Sequence, residues 1–167
     1  MEFTGDRGAL SKALTLVLGC ASRRGAARVH FHRSRDGGAV LLYGEEGLYL
    51  RLPLPGDLKG KGDLSASAAS LQRGLRRLKS TGVTITAHAG VQPGITLDGL
   101  PLHPLLTGVL IPMFPRFRAL GTVHIKVDDF RRMLREVVAS IADDDSRSGM
   151  NGVHLEHTDG RLRMVST

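Results

Sequence analysis

Apolar residues fall on one helix face twice in this chain. Leu10, Ala13, Leu14, Val17 and Leu18 mark the first face, and Phe130, Met133, Leu134, Val137, Val138 and Ile141 mark the second, at i, i+3, i+4, i+7, i+8 and i+11. A strand-like run precedes each helix, at 2–4 and 123–127. Strand-like runs also follow each one: 28–32 and 39–43 after the first, and two strands around a hairpin, ending with 161–166, after the second. Leu10 aligns with Phe130, Leu14 with Leu134, Val17 with Val137 and Val29 with Val153, so the pattern returns after about 120 residues, close to one domain length. The repeat predicts a first domain over 1–120 and a partial second copy over 121–167. Half a domain leaves an apolar helix face and a sheet edge to be covered by the first copy or by another chain, or else remains loosely ordered.

Between the two helices the pattern predicts a meander. Arg35-Asp36-Gly37-Gly38 and Glu45-Glu46-Gly47 read as hairpin turns, 48–54 as a strand ending among prolines, and 56–62 (GDLKGKG) as a polar loop. A further helix is expected from Ala66, with Ala68, Leu71, Leu75 and Leu78 as its apolar stripe and Gly82 as its stop. Strands at 83–87, 95–97 and 100–102 follow, the last two joined by an Asp98-Gly99 turn, and Pro101, Pro104, Pro112 and Pro115 mark 100–117 as an irregular connector. The fold class is α+β, with two helices packed on one face of antiparallel sheet, followed by the partial copy.

The composition, 41% apolar but only 4% aromatic with no Trp, implies an aliphatic core. No run approaches the ~20 apolar residues of a membrane span, and the N-terminus has neither a charged n-region nor an apolar h-region, so a soluble, cytoplasmic protein without membrane partners is expected. The single cysteine, Cys20, excludes an internal disulfide and is expected to be a small hydrophobic filler.

Charge narrows the function further. A net charge of +7 favours a polyanionic partner, nucleic acid before acidic membrane. Arg73, Arg76 and Arg77, with Lys79, lie off the apolar stripe of the second helix, and Arg131, Arg132 and Arg135 off that of the third. Arginines so placed meet phosphates by charge and forked hydrogen bonds without reading bases, although ordinary solvated helix faces have the same composition. Asp128 and Asp129 open the third helix, where they complement its dipole.

No phosphate-binding glycine loop, GxSxG elbow, CxxC pair or HExxH helix is present. Asp143-Asp144-Asp145 reads as a solvated acidic turn, since it lacks the spaced ligands of a calcium loop. His30 and His32, with His154 and His157, offer a metal-site alternative, and with the acidic turn a small metal-dependent enzyme. The alignment of His30 with His154 is explained more simply as a structural strand position. No cofactor and no resident metal are expected.

The stretch VDDFRRMLREVVASIADDDSRSGMNGVHLEHTDGRLRMVST resembles the start of the second domain of the bacterial DNA polymerase III beta subunit, the sliding clamp, where an acidic turn and an R-Y-x-L-N-G motif follow the helix. Here that motif reads Arg147-Ser148-Gly149-Met150-Asn151-Gly152. MEFTGDRGALSKAL and LSASAASLQRGLRRLKS are similar to the opening strand and helix and to the second helix of the family's first domain. Met113-Phe114-Pro115 sits where the family has an acidic-aromatic-proline tripeptide, and Arg24 occupies the approximate position of a basic residue that approaches DNA in the family.

The resemblance implies a non-catalytic processivity factor for a DNA-directed DNA polymerase, acting in DNA replication. Its helices would line a central hole and hold duplex DNA without sequence specificity. Arg24, Arg73, Arg76, Arg77, Arg131, Arg132, Arg135 and Arg147 are then the candidate DNA-binding residues. Arg147, Met150 and Thr167 would represent what remains of the family's pocket for polymerase and clamp-loader peptides, and self-association is implied. Ser148 replaces the motif's aromatic residue, and the chain is less than half the length of a three-domain clamp protomer. The alternative implied by that shortening is a truncated paralogue acting as a protein-interaction or regulatory module that does not encircle DNA.

Overall fold

The computed structural model describes residues 1–22, 27–34, 36–45, 48–62, 64–88, 94–104, 118, 121–141 and 152–166. The chain divides into two units, Met1–Arg116 and Phe117–Thr167. In the first unit the order is β1 (Glu2–Asp6), α1 (Arg7–Cys20), β2 (Arg28–Arg33), β3 (Ala39–Glu45), β4 (Leu48–Leu54), β5 (Gly56–Lys59), β6 (Leu64–Ser67), α2 (Ala68–Leu75), β7 (Gly82–His88), β8 (Gly94–Leu97) and β9 (Leu100–Pro104).

These strands form two antiparallel sheets, ordered β5-β1-β7-β8-β9 and β4-β3-β2-β6. Phe3 stands opposite Leu58 on one side and Ile85 on the other, and its ring meets that of Phe31 at 5.1 Å between centroids. Around it Leu10, Leu14 and Val17 of α1 and Leu71 and Leu75 of α2 are buried with Val29, Leu41 and Leu97. Burying each such side chain is worth about 1.5–3 kcal/mol, so the two helix stripes and the inward strand positions are the main source of cohesion. Asp6 starts α1 by accepting the Ala9 N–H at 2.6 Å, and Ser67 starts α2 by accepting the Ser70 N–H at 3.3 Å.

Three expectations need correction in this unit. The polar loop at 56–62 begins with a strand, β5, because β1 would otherwise be a bare sheet edge and Leu58 seals Phe3 from outside. The helix expected from Ala66 starts at Ala68, since 64–67 pair with β2 as β6. It ends at Leu75, and Gly82 opens β7 rather than stopping the helix. Cys20 is exposed at the end of α1, one residue beyond the last turn that faces the core, so it fills nothing.

Asp98 and Gly99 link β8 to β9 with φ of 47° and 79°, the paired positive values of a tight hairpin turn. Asp98 Oδ1 also accepts the Thr84 N–H at 2.7 Å, tying that turn to β7.

The second unit holds α3 (Val127–Val138) and the hairpin β10 (His154–Thr158) with β11 (Arg161–Val165). Asp159 and Gly160 turn the hairpin at φ 52° and 71°. Residues 123–126 are not a strand: no strand pairs with them among the described residues, and Val127 already belongs to α3. The stripe of α3 is half-buried rather than buried. Phe130, Met133, Leu134 and Val137 are only partly covered, Val138 is 52% exposed, and α3 lies against β11, where Met164 is buried. Ser166 Oγ donates to the Val137 carbonyl at 2.6 Å.

Candidate nucleic-acid interface

Three of the four faces of α2 are committed to packing. Ala68, Leu71 and Leu75 enter the core, and Gln72 Nε2 donates to Ser11 Oγ at 3.3 Å and Thr15 Oγ1 at 3.1 Å on α1. Thr15 spends its own hydroxyl proton on the Ser11 carbonyl, so it is the acceptor in that pair. Gly74 faces β8 and β9 so closely that a Cβ would lie 2.6 Å from Leu97.

What remains outward is Arg73, Arg76 and Arg77. The chain continues past Leu75 in a tighter turn, with Arg77 N–H donating to Gly74 O at 3.0 Å, so the three arginines keep one common direction. All three are exposed, as is Lys79. Arg7 Nη1 donates to the Leu78 carbonyl at 2.6 Å and holds the end of this turn. Nothing in the sequence pattern singled out Arg7, because its partner is a backbone atom 71 residues away.

On α3, Arg131 is 3.7 Å from Asp128, and Arg132 lies 3.7 Å from Asp129 and 3.4 Å from Glu136. Among the described residues, no carboxylate lies within 4.0 Å of Arg73, Arg76, Arg77, Lys79 or Arg135. Arg24, Arg147, Met150 and Thr167 lie outside the described residues, as do Met113-Phe114-Pro115 and the acidic turn at 143–145.

His30 is buried with its Nδ1 2.7 Å from Ser65 Oγ, whereas His32 is exposed. Among the described residues no group of three or more His, Cys, Asp or Glu is placed to hold a metal ion. Near the end of α1, Glu45 accepts from the Tyr43 hydroxyl at 2.5 Å and from the Ser22 N–H at 3.0 Å. Burial and the adjacent carboxylate push the Tyr43 phenol up to about 12, and the Tyr43 and Ser22 hydrogen bonds hold Glu45 below the usual carboxylate range. This cluster anchors the end of α1 to β3. A hollow of about 410 Å³ on the hairpin is lined by Glu156, Thr158, Asp159, Arg161 and Arg163, a mixed-charge surface with Arg163 3.7 Å from Glu156.

Solved structures share this arrangement of helices and sheets. The chain matches, over 99% of its length, 46% of a chain assigned as a DNA polymerase III beta subunit from Eubacterium rectale, at TM-score 0.84 and 19% identity. Over 100% of its length it matches 47% of the DNA polymerase sliding clamp from Bacillus subtilis, at TM-score 0.79 and 17% identity. The chain has the sliding-clamp fold. The DNA polymerase III subunit beta from Pseudomonas aeruginosa matches likewise, at TM-score 0.72 and 22% identity over 47% of its length.

The expected α+β clamp-like class is therefore correct, and the chain spans about half the length of the clamps it matches. No family model matches the chain, and no curated protein does. Among the described residues, no helix of this clamp fold is long and apolar enough to cross a membrane.

Proposed function

We propose that this chain is a clamp-family processivity factor without catalytic activity, which holds duplex DNA independently of sequence and acts with a DNA polymerase and its loader in replication. The observation that carries the reading is the outward row of Arg73, Arg76 and Arg77 on a sliding-clamp fold, exposed and with no carboxylate beside it among the described residues. Such a row suits phosphates: charge and forked donors, with nothing that selects a base. Encircling duplex would require such chains to self-associate.

The test is retention on DNA. Purified protein is mixed with nicked circular and with linear duplex and passed over a sizing column, and light scattering gives its mass. Protein that stays with circles and runs off linear ends supports the reading. Equal loss from both, at any protein concentration, overturns topological holding.

A second reading is a protein-interaction module that does not encircle DNA. It is favoured by the second unit, whose Val127, Val138 and Leu155 are 63%, 52% and 52% exposed and suit a covering partner. A stable complex with a polymerase or loader subunit, formed by protein that neither self-associates nor binds duplex, would select it.

A further inference from the structure

We infer that the phosphate contact is unevenly shared: the end of α2 supplies it, and α3 is electrostatically neutral toward the duplex. This rests on the DNA-binding reading above. From Ala68 to Lys79 the chain carries Arg73, Arg76, Arg77 and Lys79 and no acid, and no Asp or Glu occurs between Asp63 and Asp98. The carboxylate of Asp98 is itself engaged by the Thr84 N–H and lies 3.4 Å from Ser80 Oγ. The α2 end is thus a block of like charge projecting from the fold, with no counterion among the described residues.

α3 has the opposite design. Within Val127–Val138, Arg131, Arg132 and Arg135 are matched in number by Asp128, Asp129 and Glu136. The carboxylates stand one helical turn from the guanidinium groups, at 3.4 to 3.7 Å for Arg131 and Arg132. These pairs are exposed and each is weak, so a phosphate could open them. Opening does not remove the acids. They stay well inside the roughly 8 Å screening length of physiological salt, and their repulsion of a phosphate offsets what the arginines gain. Of the three arginines of α3, Arg135 alone is without a carboxylate within 4.0 Å among the described residues.

The experiment is fluorescence anisotropy of a labelled duplex titrated with the full chain at several salt concentrations, read as the slope of log K against log salt. Each phosphate neutralised contributes about 0.9 to that slope. R73Q/R76Q/R77Q is expected to lower it by about 2 to 3, and R131Q/R132Q by less than about 0.5. D128N/D129N, which unmasks Arg131 and leaves Arg132 with Glu136 alone, is expected to tighten binding and steepen the slope by about 1. All three variants alter exposed side chains, and unchanged circular dichroism verifies their fold.

An equal loss from the two arginine variants overturns the inference while leaving DNA binding intact, as does a D128N/D129N variant indistinguishable from the parent. A parent chain that shows no duplex binding even at low salt overturns the DNA-binding reading itself, and the inference with it.

Discussion

Arg7 reaches across from the first turn of α1 to the carbonyl of Leu78, 2.6 Å away, and so fixes the turn that displays the basic end of α2. A guanidinium donating to a partly buried carbonyl is worth about 1.5–3 kcal/mol. Arg7→Ala should therefore lower the urea midpoint by an equivalent amount, and Arg7→Lys should recover part of it. An Arg7→Ala variant as stable as the parent would show that this contact contributes nothing.

Gly5 and Gly56 face each other between β1 and β5 with no room for a side chain. A Cβ on Gly56 would lie 2.4 Å from the Thr4 carbonyl oxygen, and its φ is +152°. Gly99 also has a positive φ, +79°, but open space around it. Gly99→Ala should cost about 1 kcal/mol from backbone strain alone, and Gly56→Ala at least about 2 because β1 must also move. Comparing the thermal midpoints of the two variants checks this, and similar losses would refute the close approach.

Tyr43 and Glu45 give the first unit a pH signature. The phenol is raised in the folded state, so its contribution to stability is complete below its ordinary value of 10.0 and is lost as pH rises through about 12. Glu45 is lowered, so its contribution is present above 4.5 and is lost as pH falls through its folded value. Alkaline titration of phenolate absorbance should show a late limb that Tyr43→Phe lacks. Coincident curves for parent and variant would remove Tyr43 from the late limb.

Gln72 is buried, yet its Oε1 accepts no hydrogen bond among the described residues, while Nε2 serves Ser11 and Thr15. An orphaned buried carbonyl offsets much of what the amide gains. Gln72→Met, close in shape, should leave stability unchanged or raise it by up to about 1 kcal/mol, whereas Leu75→Ala should cost about 2–5 kcal/mol. Chemical denaturation of both variants decides, and a large loss in Gln72→Met would mean that the polar link between α1 and α2 outweighs its orphan.

Cys20, exposed at the end of α1, should react with a thiol reagent in the native protein at a rate little changed by denaturant. Protection that disappears only on unfolding would contradict the exposure.

The periodic parts of this fold could be read from the sequence and the non-local parts could not. The stripe of Leu10, Leu14 and Val17 is buried as its spacing predicts, and Asp98-Gly99 makes the turn its residue types require. β5 was hidden because one apolar residue, Leu58, among glycines, charges and lysines leaves no alternation to detect, and its status as a strand comes from β1. The stripe on α3 has the right period, but how much of it is covered depends on what packs there, which no spacing encodes.

The basic row of α2 was visible as composition. That no carboxylate among the described residues stands beside it, and that Arg7 supports it, are features of the fold that no spacing encodes. The balance of acids and bases on α3 was legible throughout in the letters of that helix.

The placement of β1 between β5 and β7 also constrains the order of events during synthesis. Phe3 of β1 pairs with Ile85 of β7, so the first strand made must wait until residues 82–88 are synthesised before its inner edge is satisfied. The β2–β3–β4 meander closes from near neighbours and can form while β1 is still open. Folding on the ribosome should therefore begin in the middle of the first unit, and a nascent chain stalled before β7 emerges should leave residues 2–6 paired on the β5 side alone, with faster amide exchange than in the finished chain.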